Sequence, residues 1–217
     1  MKTTVSFTKI LLAFFAFIAM MIATRFIYSG GHGFVFLVWN LFLAWIPFAI
    51  STLFKTIHHA NKWKQVFIFS VWLIFFPNAL YIVTDLLHLD LETTIPKWFD
   101  VVLLFTSSIT GLLMAFVSLL RVEQFLGYKF SSKWVHTMMI GILFLSSFGV
   151  YLGRFLRWNS WDIISNPISL SFSIAKRFIF PFHYLQTWGI TIMLTILFYL
   201  LYAAIKKLPG YLNQAMQ

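Results

Sequence analysis

Along the chain, apolar runs of membrane-crossing length alternate with short stretches that hold most of the charge. A helix needs about 20 mostly apolar residues to cross the hydrocarbon core of a bilayer. Six runs meet that condition: Ile10–Tyr28, Phe34–Phe54, Val66–Leu87, Val101–Leu120, Val135–Gly153 and His183–Ile205. The first follows Lys2 and Lys9 as a secretory leader would. However, no small-x-small cleavage pattern follows it and the run stays apolar to Tyr28, so it reads as a retained span. A seventh segment, ISLSFSI (Ile168–Ile174), alternates apolar residues with Ser strictly. That period predicts a half-buried strand or an extended strip. A lone strand cannot cross lipid with its backbone unpaired, so it would lie along the surface and cover part of the bundle. No repeat or linker divides the chain. The pattern predicts one all-α, polytopic integral membrane helix bundle over residues 1–217.

The third run departs from the others. It breaks at Pro77-Asn78 and ends in ionisable groups: FFPNALYIVTDLLHLDLE, Phe75 to Glu92. At 100° per residue from Asn78, the side chains of Asn78, Tyr81, Asp85, His88 and Glu92 fall within an arc of roughly 80°. Leu80, Val83, Leu86 and Leu87 take the remainder. A helix continued through Glu92 would carry this polar stripe to the membrane boundary, facing protein or water rather than acyl chains. Pro77 cannot donate to the carbonyl of Leu73, which predicts a kink there, and Asn78 stands ready to repair it. Asp85 and His88, three apart, fit three roles. They suit a mutual hydrogen bond, an acid/base pair, or half of a metal site that Glu92 or Asp100 would help complete. A divalent metal is the one cofactor this pattern suggests. Asp90 points away from the stripe, and Asp100 precedes the fourth run, where it can cap the first amides.

Composition sharpens the membrane reading. Of 217 residues, 60% are hydrophobic and 10% charged, and the mean hydropathy is +0.86. A soluble domain of this size keeps a more polar exterior. Cysteine is absent, which excludes disulfides, thiolate chemistry and Cys-ligated metals. The net charge of +10 sits in single or paired residues between the runs. That arrangement marks topology and contact with anionic lipid rather than nucleic acid. With six spans, one side holds Lys2, Lys9, Lys55, Lys62, Lys64, Arg121, Lys129, Lys133, Lys206 and Lys207. The other holds Arg25, Lys97, Arg154, Arg157, Lys176 and Arg177. This ten-to-six bias predicts cytoplasmic termini. Asp85, Asp90, Glu92, Asp100 and Asp162 then fall at the outer boundary, with Glu123 alone inside.

A second motif lies at that outer level, GVYLGRFLRWNSWD (Gly149–Asp162). Gly149 and Gly153, four apart, are a close-packing pattern for membrane helices, and Ser107 and Gly111 suit tight packing on the fourth span. Arg154 and Arg157 follow, flanked by Trp158 and Trp161. The bland role is interfacial anchoring, with Arg snorkelling and Trp at headgroup level. The sharper one sets guanidinium beside carboxylate. Either an arginine clasps Asp85 or Glu92, or Arg154 and Arg157 grip an anionic ligand near Asn78 and Tyr81. Adjacent His58 and His59 lie in a basic loop and, on a helix, would not face each other. His32, His136 and His183 each sit at a span end.

The segments FPNALYIVTDLLHL and GRFLRWNSWD, together with WNLFLAWIPF in the second span, resemble a bacterial multi-pass membrane family. That family is known as a domain of unknown function, number thirteen sixty-one. Its motif has a second Pro where Leu80 stands here, which implies a softer break in this chain. The resemblance implies a bacterial cytoplasmic membrane and no activity. The residues therefore predict a non-catalytic membrane protein with an outward-facing polar cleft for a lipid headgroup, an anionic solute or a partner. Two alternatives are a membrane enzyme using Asp85, His88 and Glu92 on a lipid-linked or phosphate-bearing substrate, and a small-solute transporter. Membrane lipids are the partners expected in each case.

Overall fold

The computed structural model describes residues 6–29, 34–90 and 95–215, with Asp90 by its backbone only. The first two helices are α1 (Phe7–Ser29) and α2 (Phe36–Ser51), the latter followed by 3-10 turns at Thr52–Lys55 and Ile57–His59. Helix α3 (Lys62–Tyr81) runs on as a 3-10 segment, Ile82–Asp90. Then come α4 (Lys97–Gly127), α5 (Ser132–Leu156), the single turn α6 (Asp162–Ser165), α7 (Pro167–Ile179), a 3-10 turn (Pro181–Tyr184) and α8 (Leu185–Ala215). Six of these stretches are long and apolar enough to cross a membrane, so this is a multi-pass membrane protein. Each span starts within about four residues of the limit read from hydropathy, and four stop within three, whereas α4 runs on to Gly127 and the last helix to Ala215 because their amphipathic ends continue past the apolar run.

Helix α4 stands at the centre and touches α1, α2, α3, α5 and α8. Large buried rings fill this core, among them Trp72 and Phe76 of α3 and Phe116 of α4 itself. A short polar relay runs through this core. Trp72 Nε1 donates to Ser118 Oγ at 2.7 Å, and Ser118 Oγ donates to the carbonyl of Pro47 at 3.1 Å. It ties α2, α3 and α4 together where no water is present to satisfy these groups. We call the end of the bundle that holds Ser29, Asp90 and Leu156 the upper end.

Glycines set how closely α3 is held. A Cβ on Gly149 would lie 2.9 Å from the Pro77 ring, one on Gly153 3.2 Å from the Tyr81 ring, and one on Gly111 3.0 Å from both Ala79 O and Ile82 Cδ1. The small residues of α4 and α5 thus clamp α3 from two sides, the packing their spacing predicts. Pro77 lies inside α3. The α-helical winding continues to Tyr81, then tightens to 3-10 for nine residues, far beyond the usual three or four.

Two expectations are corrected. Ile168–Ile174 is not a strand or an extended strip but part of α7, and the described residues contain no strand. Pro167 at its first position favours a helical start. Leu170, Ser173, Ile174 and Arg177, at i, i+3, i+4 and i+7, form its inner face. The strict alternation of Ser was a coincidence of composition with a 3.6-residue period. His58 and His59 do meet, ring centroids 3.8 Å apart, in the 3-10 turn Ile57–His59.

Candidate functional site

The Asp85 carboxylate is fully buried at the upper end. Its Oδ2 accepts from Asn40 Nδ2 at 2.8 Å, and its Oδ1 pairs with Arg154 Nη2. Arg154 Nε also donates to Thr84 Oγ1 at 2.8 Å, and its guanidinium carbon lies 4.5 Å from the Tyr81 ring centroid. Residues from α2, α3, its 3-10 extension and α5 thus converge on one ion pair. The 3-10 winding makes this possible. At about 120° per residue, positions i and i+3 eclipse, so Ile82, Asp85 and His88 share one inner edge while Leu87 turns outward and is exposed.

That geometry revises the stripe. Asp85 and His88 do not join carboxylate to imidazole, since His88 Nδ1 meets the backbone carbonyl of Asp85 at 3.1 Å. The His88 ring lies against Phe36, centroids 4.7 Å apart. Glu92, the Asp90 side chain, His32 and Lys2 lie outside the described residues. Among the described residues, no group of three or more His, Asp or Glu side chains could hold a metal ion. Arg154 is the structural clasp of the two arginine roles. Arg157 is drawn away from it because it ends α5 in a left-handed conformation, φ 60°, with its N–H on the carbonyl of Leu152. Its side chain is exposed. Asp100, in the first turn of α4, holds Arg25 of α1 in a buried bidentate pair, 2.8 and 3.2 Å.

Beside the ion pair opens a cleft of about 290 Å³ between α2, α3, α5 and the α6–α7 cap. Its polar lining is Asn40, Asn78, Tyr81, Asn159 and Ser160. Leu43, Leu73, Ile74, Leu145 and Phe148 line it about a turn further down each helix. Asp85, His88, Arg154 and Arg157 are not part of that lining. The charged pair stands behind the wall and fixes two groups in it, the Asn40 amide and the Tyr81 ring. Asn78 Nδ2 donates to the carbonyl of Phe75 at 3.0 Å and to Ser160 Oγ at 2.9 Å. Ser160 Oγ in turn donates to the carbonyl of Ile74 at 3.1 Å. The loop after α5 thereby satisfies the backbone just below Pro77, a repair only half of which was expected.

Residues 39–201 of the chain match the model of a family described as "Protein of unknown function (DUF1361)". The chain belongs to the DUF1361 family. No curated protein and no solved structure matches it. The matched region contains the clasp, the cleft and the cap, while Arg25 lies before it.

Four contributors to this DUF1361 site, Asn40, Thr84, Asn159 and Ser160, went unread in the sequence. Asn40 had a usable signal, as the one amide in the apolar WNLFLAWIPF run. Thr84 and Ser160 had none, because Thr and Ser are common in membrane helices and loops without any such role.

Proposed function

We propose that this protein binds an amphiphile, a lipid headgroup with part of its chain, in the cleft at the upper end of the bundle. The observation that carries the reading is the layering of that cleft. Amides and hydroxyls from three elements sit toward the membrane boundary beside the apolar cap residues Ile163, Leu170 and Ile174, and the lining below them is wholly apolar. At about 290 Å³ it lies at the lower end of the roughly 300–1,000 Å³ range of ligand clefts. It therefore suits a headgroup fragment and a short length of chain rather than a whole lipid. The lining carries no formal charge, which favours hydrogen-bonding groups over a free anion. Positive-inside bias supports a cleft on the outer face, and the family resemblance supports a bacterial cytoplasmic membrane as the setting.

An enzyme built on Asp85 and His88 has less support. The carboxylate is already held by Asn40 and Arg154, and the imidazole contacts a carbonyl. Native mass spectrometry of protein purified in mild detergent tests the binding reading. Wild type is expected to retain one lipid-sized adduct. Leu73→Trp, which fills the cleft, and Asn159→Leu, which removes a polar lining group, are expected to lose it while keeping the fold. No adduct on wild type, and none after addition of total lipid extract, would sink the reading.

A further inference from the structure

Arg177 lies on the inner face of α7 and is only 7% exposed. Its Nη1 donates to the carbonyl oxygen of Ser173 and, at 2.9 Å, to that residue's hydroxyl. Its guanidinium carbon lies 4.9 Å from the Tyr184 ring centroid and 6.0 Å from that of Tyr151. Its Nε has no hydrogen-bond partner. The described carboxylates are engaged elsewhere. Asp85 holds Arg154, Asp100 holds Arg25 and Glu123 holds Lys206, while Asp162 serves its own turn. Among the described residues, then, no anion neutralises Arg177.

A guanidinium stays protonated at any physiological pH. Leaving it buried without an anion costs free energy that two neutral acceptors and two ring faces offset only in part. Two more polar atoms nearby are in the same condition. Thr187 Oγ1 and Trp188 Nε1, in the first turn of α8, are buried without partners. The Trp188 ring lies 5.0 Å from Phe178, the residue after Arg177. The corner where α7 turns into α8 therefore holds a buried cationic fork with a free Nε, and the adjoining first turn of α8 carries an indole N–H and a hydroxyl without partners. The outer face of α7, with Ile168, Phe172 and Ile179 exposed, suits a helix lying at headgroup level.

We propose that this corner is a phosphate-binding site, distinct from the cleft, with Arg177 gripping the oxyanion of a phosphate ester at the membrane surface. A planar fork matches two phosphate oxygens, and the ligand would supply the countercharge that the described chain does not. The rationale is independent of the cleft and of what the cleft binds.

The test is thermal unfolding of delipidated protein in detergent, with phosphatidylglycerol, phosphatidylcholine, phosphate-free diacylglycerol or inorganic phosphate added. Both phospholipids are expected to raise the wild-type melting temperature by several degrees, and diacylglycerol is not. Inorganic phosphate giving the same rise would assign the site to free phosphate; no rise would assign it to lipid. Arg177→Met is expected to lose the phosphate-dependent rise, whereas Lys97→Met, a charge-matched change at the same end of the bundle, keeps it. Arg177→Lys, which retains the charge without the fork, is expected to show a smaller rise and serves if the Met variant does not fold. Equal rises from phospholipid and diacylglycerol in wild type, or an undiminished rise in Arg177→Met, would overturn the proposal.

Discussion

Asp85 has no contact with water, so its stability rests on what replaces water: one amide, one guanidinium and the helix around them. Removing either charge leaves the other buried alone, which typically costs about 3–5 kcal/mol. Asp85→Leu and Arg154→Met are each expected to lower the melting temperature in detergent strongly. The double variant is expected to recover most of that loss, since two apolar side chains leave no orphan charge; purely additive losses would disprove the clasp. Asp162 behaves differently because it is only partly buried. Its carboxylate accepts the Asn159 N–H at 2.7 Å and the Ser165 hydroxyl at 2.9 Å. The backbone bond, the larger cause, holds its pKa below the usual carboxylate value. A depressed folded pKa adds stability that is present above the ordinary value of about 3.9 and fades as pH falls through the folded one. Amide exchange at Asn159, corrected for its intrinsic pH dependence, is therefore expected to lose protection only in strong acid. Asp85 and Arg154 were legible because charge is scarce in this chain and each sits beside an apolar run. The Arg25–Asp100 pair was not, since Asp100 at the head of an apolar run has a sufficient local explanation and its partner lies 75 residues away.

At the scale of elements, α3 owes its place to small residues opposite it. Gly149→Leu would drive a branched side chain into the Pro77 ring, and over-packing of this kind costs typically 1–3 kcal/mol. Gly141→Ala on the same helix meets nothing within 4 Å and is expected to leave stability unchanged or raise it by up to about 1 kcal/mol. Unfolding of both variants in detergent checks the contrast; similar losses would mean the Gly149 contact is not tight. The six spans and the glycine seam could be read from hydropathy and spacing, which reflect lipid and van der Waals contact directly. The winding of residues 82–90 could not. An α-helix and a 3-10 helix present the same hydrophobic residues, and what separates them here is tertiary: Ser108 Oγ donating to the Ile82 carbonyl at 3.1 Å, and the grip of Arg154 on Asp85. The left-handed end of α5 at Arg157 was equally hidden, because no glycine marked it.

For the whole molecule, six antiparallel passes put the clasp, the cleft and the α6–α7 cap at one end of the bundle. The chain lacks cysteine, so single introduced cysteines report sidedness without background. Asn159→Cys is expected to react with an impermeant maleimide added outside intact cells, and Lys133→Cys only after lysis; the reverse would invert the bundle. The long 3-10 stretch has a mechanical side. It advances about 2.0 Å per residue against 1.5 Å for an α-helix, so relaxing nine residues would shorten the third rod by roughly 4.5 Å. The same rewinding would swing Asp85 by about 60° relative to Ile82, off its guanidinium. The ion pair and the coil's length are thus coupled: with Asp85 on Arg154 the rod keeps its full reach, and rewinding it as an α-helix would draw its Leu89 end down by that distance.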